Sequence, residues 1–258
     1  MRTNSHETSP VGPGRPGPGV LLVIGGAEDR TGDCVLLRDF TELAGGAEAR
    51  IVLITAASGA PADSFAEYAS VFRRLGVPHV RELRIGGQDQ ANGERTGAEL
   101  ATATGVFLTG GDQARLGPLV GSRANRVLRD RLSASTLAVA GTSAGATALG
   151  PEMILGGLGR AGNRLRTGPG LGLLPGVIVD MHFAQRRRLP RLVGAVRRLP
   201  SHLGIGIDED TAIRVRHGRF VVLGRGEVVT VDARPPGARL HWLGAGDAFD
   251  LRNLHPIR

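Results

Sequence analysis

The sequence predicts an α/β fold, a doubly wound, mostly parallel sheet with helices on both faces and C-terminal antiparallel hairpins. Three observations carry that expectation. Short, nearly continuous apolar runs recur up to residue 140, as strands buried on both faces require. Segments with apolar residues at helical spacing separate them, the alternation that builds parallel sheets. After residue 200 the rhythm changes to short alternating runs broken by glycine turns, which suits antiparallel hairpins.

Taken in order, Gly19-Val20-Leu21-Leu22-Val23-Ile24-Gly25-Gly26 reads as a buried strand closed by a glycine turn, followed by a helix over about residues 31–45. Arg50 to Thr55 is a second strand. Ser58 through Pro61 turn the chain, and Asp63 to Leu75 carries helical spacing at Phe65, Tyr68, Val71 and Phe72. Val80 to Ile85 and Gly105 to Thr109 give two more strands, the second stopping at Gly110-Gly111-Asp112-Gln113, and residues 123–133 read as a helix. Thr136 to Ala140 is the fifth strand. In such a sheet the ligand crevice lies beyond the strand C-termini, which places Gly110-Gly111 and the turn after Ala140 at one edge. Ala212 to Val215, Phe220 to Leu223 and Val228 to Val231, separated by His217-Gly218 and Gly224-Arg225-Gly226, read as hairpins appended to the sheet.

Composition narrows the function classes. With 258 residues the chain suits one α/β domain over 19–258, preceded by a Pro/Gly-rich polar tail over 1–18 that lacks the apolar stretch of a secretory signal and is expected to be disordered. A single cysteine, Cys34, excludes an intramolecular disulfide and a cysteine zinc site, which fits a reducing cytoplasm. No run reaches the roughly 18 to 20 apolar residues of a membrane span. The net charge is +8 and every basic residue outside the histidines is arginine. The densest group, Arg186, Arg187, Arg188, Arg191, Arg197 and Arg198, starts four residues after a histidine rather than in a tail. One Trp and one Tyr are too few for a base-stacking platform, so no nucleic-acid partner is expected.

Gly141-Thr142-Ser143-Ala144-Gly145 follows the fifth strand and precedes Ala146-Thr147-Ala148-Leu149, so a buried strand runs through G-x-S-x-G into a helix. That is the pattern of a nucleophile elbow, whose tight turn needs small residues on both sides of the serine. The helix dipole would favour alkoxide character on Ser143, and the Ala144 amide would donate to an oxyanion on a substrate carbonyl. Of seven histidines, His182 follows a buried strand, Gly176-Val177-Ile178-Val179-Asp180, and would emerge at the same sheet edge as Ser143. Gly204-Ile205-Gly206-Ile207-Asp208-Glu209-Asp210 ends a further apolar strand in carboxylates, with Glu209 or Asp208 the candidates for orienting the imidazole. The order Ser, His, acid differs from that of an α/β-hydrolase, which points to another fold carrying the same chemistry.

Six motifs in order, Gly25-Gly26-Ala27-Glu28-Asp29, Thr55-Ala56-Ala57-Ser58, Phe107 to Gln113, Gly141 to Ala146, Asp180-Met181-His182-Phe183 and Gly204 to Ala212, make the chain resemble the cyanophycinases of the peptidase S51 group. That resemblance implies a fold similar to class I glutamine amidotransferases, with serine at the elbow. It implies Ser143 as nucleophile, His182 as general base, Glu209 as its carboxylate partner, and the amides of Gly111 and Ala144 as oxyanion hole. It further implies substrate-binding roles for Gln113, Asp180, Arg186, Arg188 and Arg191, a possible homodimer, and neither metal nor organic cofactor. The implied substrate is cyanophycin, a poly-aspartate backbone whose side-chain carboxylates carry arginine, cleaved to β-Asp-Arg.

Two departures stand out. The family carries Gln directly before the histidine where this chain has Met181, and Met153 to Arg160 lacks the acidic residues expected there. A dipeptidase E-like hydrolase of short Asp-containing or β-aspartyl peptides is the alternative within enzymes. A noncatalytic anion or nucleic-acid binding protein is the alternative outside them.

Overall fold

The computed structural model describes residues 19–157, 165–234 and 237–257, so the expected tail and residues 158–160 of the loop after the elbow lie outside the described residues. The first half alternates as its periodicity requires: β1 (Val20–Ile24), α1 (Val35–Leu43), β2 (Arg50–Ile54), α2 (Pro61–Arg74), β3 (His79–Leu83), α3 (Gln88–Asn92), α4 (Glu94–Thr102), β4 (Gly105–Leu108), α5 (Arg123–Ser133) and β5 (Ala138–Thr142). The second half runs α6 (Ala144–Ala148), β6 (Glu152–Gly156), β7 (Arg166–Pro169), β8 (Val177–Met181), α7 (Leu189–Arg198), β9 (Leu203–Ile207), β10 (Thr211–Arg216), β11 (Arg219–Gly224), β12 (Val228–Asp232), β13 (Arg239–Leu243), β14 (Ala248–Asp250) and β15 (His255–Ile257).

The main sheet has nine strands in the order β15-β14-β11-β10-β1-β5-β4-β2-β3. Its β1-β5-β4-β2-β3 half is parallel and the rest is antiparallel. Because side chains alternate along a strand, the apolar run of β1 feeds two cores. Val20, Leu22 and Ile24 pack with Leu37 and Phe40 of α1 and Tyr68 and Phe72 of α2, while Leu21 and Val23 join Leu100 of α4, Leu128 of α5 and Ala146 of α6. Helices therefore cover both faces, as the sequence predicts.

The expectations that the 176–180 strand ends at the edge of this sheet and that the run at 228–231 extends it are corrected. β8 and β9 pair with each other in parallel and form a separate four-stranded sheet, β13-β12-β9-β8. The run at 228–231 pairs antiparallel with β9 in that sheet, whereas the β10–β11 hairpin does join the main sheet beside β1. The reason is occupancy: β1 already has β5 and β10 as neighbours, which leaves the later strands no place beside it. Asp208 N donates to Glu227 O at 3.2 Å and Glu227 N donates to Asp208 Oδ2 at 3.1 Å, which fastens the start of β12 to the end of β9. One face of the second sheet, through Val177, Val179, Ile205 and Ile207, shares the core beneath the main sheet; the other receives Leu192 and Val196 of α7. Thr147 of α6 donates to Val179 O at 2.8 Å, so the short helix bridges the two sheets.

Candidate active site

Ser143 sits between β5 and α6 with φ 51° and ψ −110°, a conformation that costs about 1–3 kcal/mol in a non-glycine residue. The flanking glycines are there for space. A Cβ on Gly141 would lie 2.4 Å from Gly145 O, and one on Gly145 would lie 2.3 Å from Leu108 O. Ser143 N donates to Ile24 O at 3.1 Å, which ties the elbow to the end of β1. α6 has only five residues, so its dipole adds little, and the local amides matter more than the sequence reading allowed.

His182 follows β8 and reaches Ser143 from the second sheet, not from the edge of the main one. Its N–H donates to Gly25 O at 2.9 Å, and its imidazole lies against Gly26, where a Cβ would be 2.4 Å from the ring Cε1. Gly26 has φ +99°, so glycine is required there on both counts. His182 Nε2 lies 2.9 Å from Ser143 Oγ and Nδ1 lies 2.6 Å from Glu209 Oε1. A carboxylate at Nδ1 assigns the proton to that nitrogen and leaves Nε2 to accept from the serine. Burial pushes the His182 pKa below its ordinary value; the bond to Glu209 opposes this, while the Arg186 and Arg188 cations reinforce it. The imidazole is thereby kept neutral at neutral pH.

Of the two acid candidates, Glu209 is the one in contact with the imidazole. Asp208 is turned inward, accepting from Ala184 N at 2.9 Å and Glu227 N at 3.1 Å, and so it shapes the loop that presents its neighbour. Glu209 N donates to Gln185 Oε1 at 3.1 Å.

The Gly110-Gly111 turn at the end of β4 borders the serine, with the Cβ position of Gly110 3.3 Å from Ser143 Cβ. Gly111 (φ +137°) passes so close to Ala57 that a Cβ would lie 2.0 Å from its carbonyl oxygen. Ala144 opens α6, and its N–H has no acceptor within the helix.

The residues expected to bind substrate divide into two groups. Asp180 is fully buried and pairs with Arg188 (3.1 Å) and with Arg191 Nε (2.7 Å). It anchors arginines rather than lining a pocket. Arg188 also donates to Met181 O at 2.6 Å and to Met181 Sδ at 2.9 Å, so the methionine that replaces glutamine packs under a guanidinium. Arg186 is exposed, as are Arg187, Arg197 and Arg198. Gln113 Nε2 donates to Ile154 O at 2.7 Å and fastens the loop after β4 to β6.

One group escaped the sequence reading. Glu28 is buried, accepting from Tyr68 OH at 2.5 Å and from Thr142 Oγ1 at 2.6 Å. Burial and the neighbouring Glu28 push the Tyr68 phenol well above its ordinary pKa, so it stays protonated and donates. The available signal was a carboxyl in a glycine turn directly after a fully apolar strand, and Asp29 beside it gave the same signal for a different role. Asp29 caps the following turn, accepting from the amides of Thr31, Gly32 and Cys34.

Comparison with known proteins places the chain in a family. The sequence model of peptidase family S51 matches residues 21–223. The cyanophycinase of Trichormus variabilis is 42% identical over 253 residues, 90% of this chain and 85% of that protein. That of Synechococcus elongatus is 40% identical over 256 residues, 91% of this chain and 80% of the relative. In fold, the chain resembles a crystal structure of a peptidase from an acI-B1 Actinobacterium, with TM-score 0.71 at 21% identity over 90% of this chain and 97% of the other. A putative peptidase E from Listeria monocytogenes gives TM-score 0.54 at 17% identity over 80% and 98%. The chain belongs to peptidase family S51, the serine-type peptidases that include these cyanophycinases.

Proposed function

We propose that this protein hydrolyses cyanophycin to β-Asp-Arg through an acyl-enzyme on Ser143. The observation that carries the reading is the continuous relay Ser143 Oγ, His182 Nε2, His182 Nδ1 and Glu209 Oε1, with steps of 2.9 and 2.6 Å. His182 removes the serine proton as Oγ attacks the scissile carbonyl, and Glu209 steadies the imidazolium that forms. The amides of Gly111 and Ala144 receive the oxyanion. His182 then returns its proton to the leaving amine, and water, activated by the same imidazole, releases the acyl group. No metal or organic cofactor enters this scheme.

The substrate assignment rests on the identity of 40–42% to cyanophycinases over about nine tenths of the chain. Within the site, Arg186 is the exposed cation beside the histidine and captures a substrate carboxylate, while Asp180 holds Arg188 and Arg191 in place behind it. Gln113 holds the loop after β4 against β6. Among the described residues no helix is long and apolar enough to cross a membrane, and with a lone cysteine we place the enzyme in the cytoplasm.

The test is to incubate the protein with cyanophycin and, separately, with α-Asp and β-Asp-Arg dipeptides, reading products by mass spectrometry. Release of β-Asp-Arg from the polymer supports the proposal. Cleavage of dipeptides alone moves the substrate to short Asp-containing peptides.

A further inference from the structure

The loop after β1, residues 25–29, touches every segment that carries a member of the Ser143, His182 and Glu209 set. Gly25 O receives the His182 amide at 2.9 Å, and Gly26 backs the imidazole. Asp210, next to Glu209, donates its N–H to Gly26 O at 2.9 Å and accepts from Asp29 N at 2.9 Å. The third segment is reached by Glu28, whose Oε2 accepts from Thr142 Oγ1 at 2.6 Å, one residue before the serine. Its other oxygen accepts from Tyr68 OH, and the Arg30 guanidinium lies 5.5 Å over the Tyr68 ring.

Glu28 is 3% exposed, and nothing in the proton transfers described above uses it. A buried carboxyl is costly unless its oxygens are satisfied, and here the satisfaction comes from groups that lead to the elbow. The Ser143 backbone holds a sparsely populated conformation, which persists only where the surroundings over-determine it. The Ile24 carbonyl holds Ser143 from one side, and Thr142 is the residue through which it is held from the other.

We propose that Glu28 is a positioning residue for the nucleophile, holding the elbow in its strained form through the Thr142 hydroxyl so that Ser143 Oγ stays within reach of His182. The proposal rests on Ser143 being the nucleophile. Tyr68 fixes the Glu28 carboxyl from the opposite side. Removing the clamp lets the elbow relax by a fraction of an ångström to an ångström, a displacement that lowers catalysis by roughly ten- to 100-fold.

The experiment compares Glu28→Ala, Thr142→Val and the double variant with the wild-type protein, using a fluorophosphonate probe for the serine alongside kcat and KM on cyanophycin. Each single variant is expected to lower the labelling rate and kcat by about tenfold or more with KM within twofold, and the double variant to fall no further than the worse single. The acid limb of the pH profile should stay in place, because the His182–Glu209 pair is untouched. Thr142→Val removes only a hydroxyl, so it keeps the test valid if Glu28→Ala fails to fold. Folded single variants that label at the wild-type rate, or losses that multiply in the double variant, overturn the role of Glu28. A wild-type protein that the probe does not label overturns the nucleophile reading itself, and this proposal with it.

Discussion

His182 is where opposing electrostatic pressures meet, and their signs give a pH prediction. Burial and the Arg186 and Arg188 cations disfavour imidazolium, whereas Glu209 favours it, and burial is the largest influence. In the proposed mechanism His182 acts as a neutral base, so kcat/KM should rise with pH through an apparent pKa below the ordinary imidazole value of about 6.5. Arg186→Ala removes a cation and should move that limb to higher pH; Glu209→Gln removes the stabilising carboxylate and should move it lower, with a large fall in kcat. A limb above 6.5 in the wild-type protein, read from a pH–rate profile, would show that Glu209 rather than burial dominates. Asp180 supports a second residue-scale prediction. Asp180→Ala strands the largely buried Arg188 and Arg191 cations and should cost about 3–5 kcal/mol by urea titration, whereas an exposed pair such as Arg81–Glu99 contributes at most about 1 kcal/mol.

At the scale of elements, the site depends on backbones that pass unusually close. Gly26→Ala combines a φ of +99° with a Cβ 2.4 Å from the His182 ring, so it should displace the imidazole and reduce kcat by about 100-fold or more. Steady-state kinetics beside a thermal melt separates that outcome from unfolding. β1, β2, β4 and β5 were legible in the sequence because each is a largely apolar run bounded by turn residues, whereas β3, an edge strand, shows only Val80 and Leu83 among polar residues. The glycines of the elbow were legible because the turn chemistry is local. The placement of β8, β9 and β12 was not, since their strand character is local but their choice of partner depends on which edges remain open. The same limit hid the five-residue length of α6, whose Ala- and Gly-rich sequence continues a helical pattern past Ala148 into a turn.

Across the whole molecule, the candidate active site is a junction between two sheets. The main sheet presents Ser143 and the Gly110-Gly111 turn, the second sheet presents His182 and Glu209, and the loop after β1 fastens them together. Residue type and strand end pointed to Ser143 and His182 and left Glu209 and Asp208 open, with Glu209 implied only by the family resemblance; they could not assign Asp208 its inward role or find Glu28, because both roles depend on amides and hydroxyls far away in the chain. The arginine cluster was likewise legible as a cluster but not as a divided one, with Arg188 and Arg191 held by Asp180 and Arg186 exposed. We propose that these two sheets converge to make Ser143 a nucleophile. The most direct test is to treat the wild-type protein and the Ser143→Ala and His182→Ala variants with a fluorophosphonate and map the adduct by peptide mass spectrometry. The account predicts a single adduct on the peptide containing Ser143, absent in Ser143→Ala and slowed by several orders of magnitude in His182→Ala. An adduct elsewhere, or equal labelling of the His182→Ala variant, would contradict it.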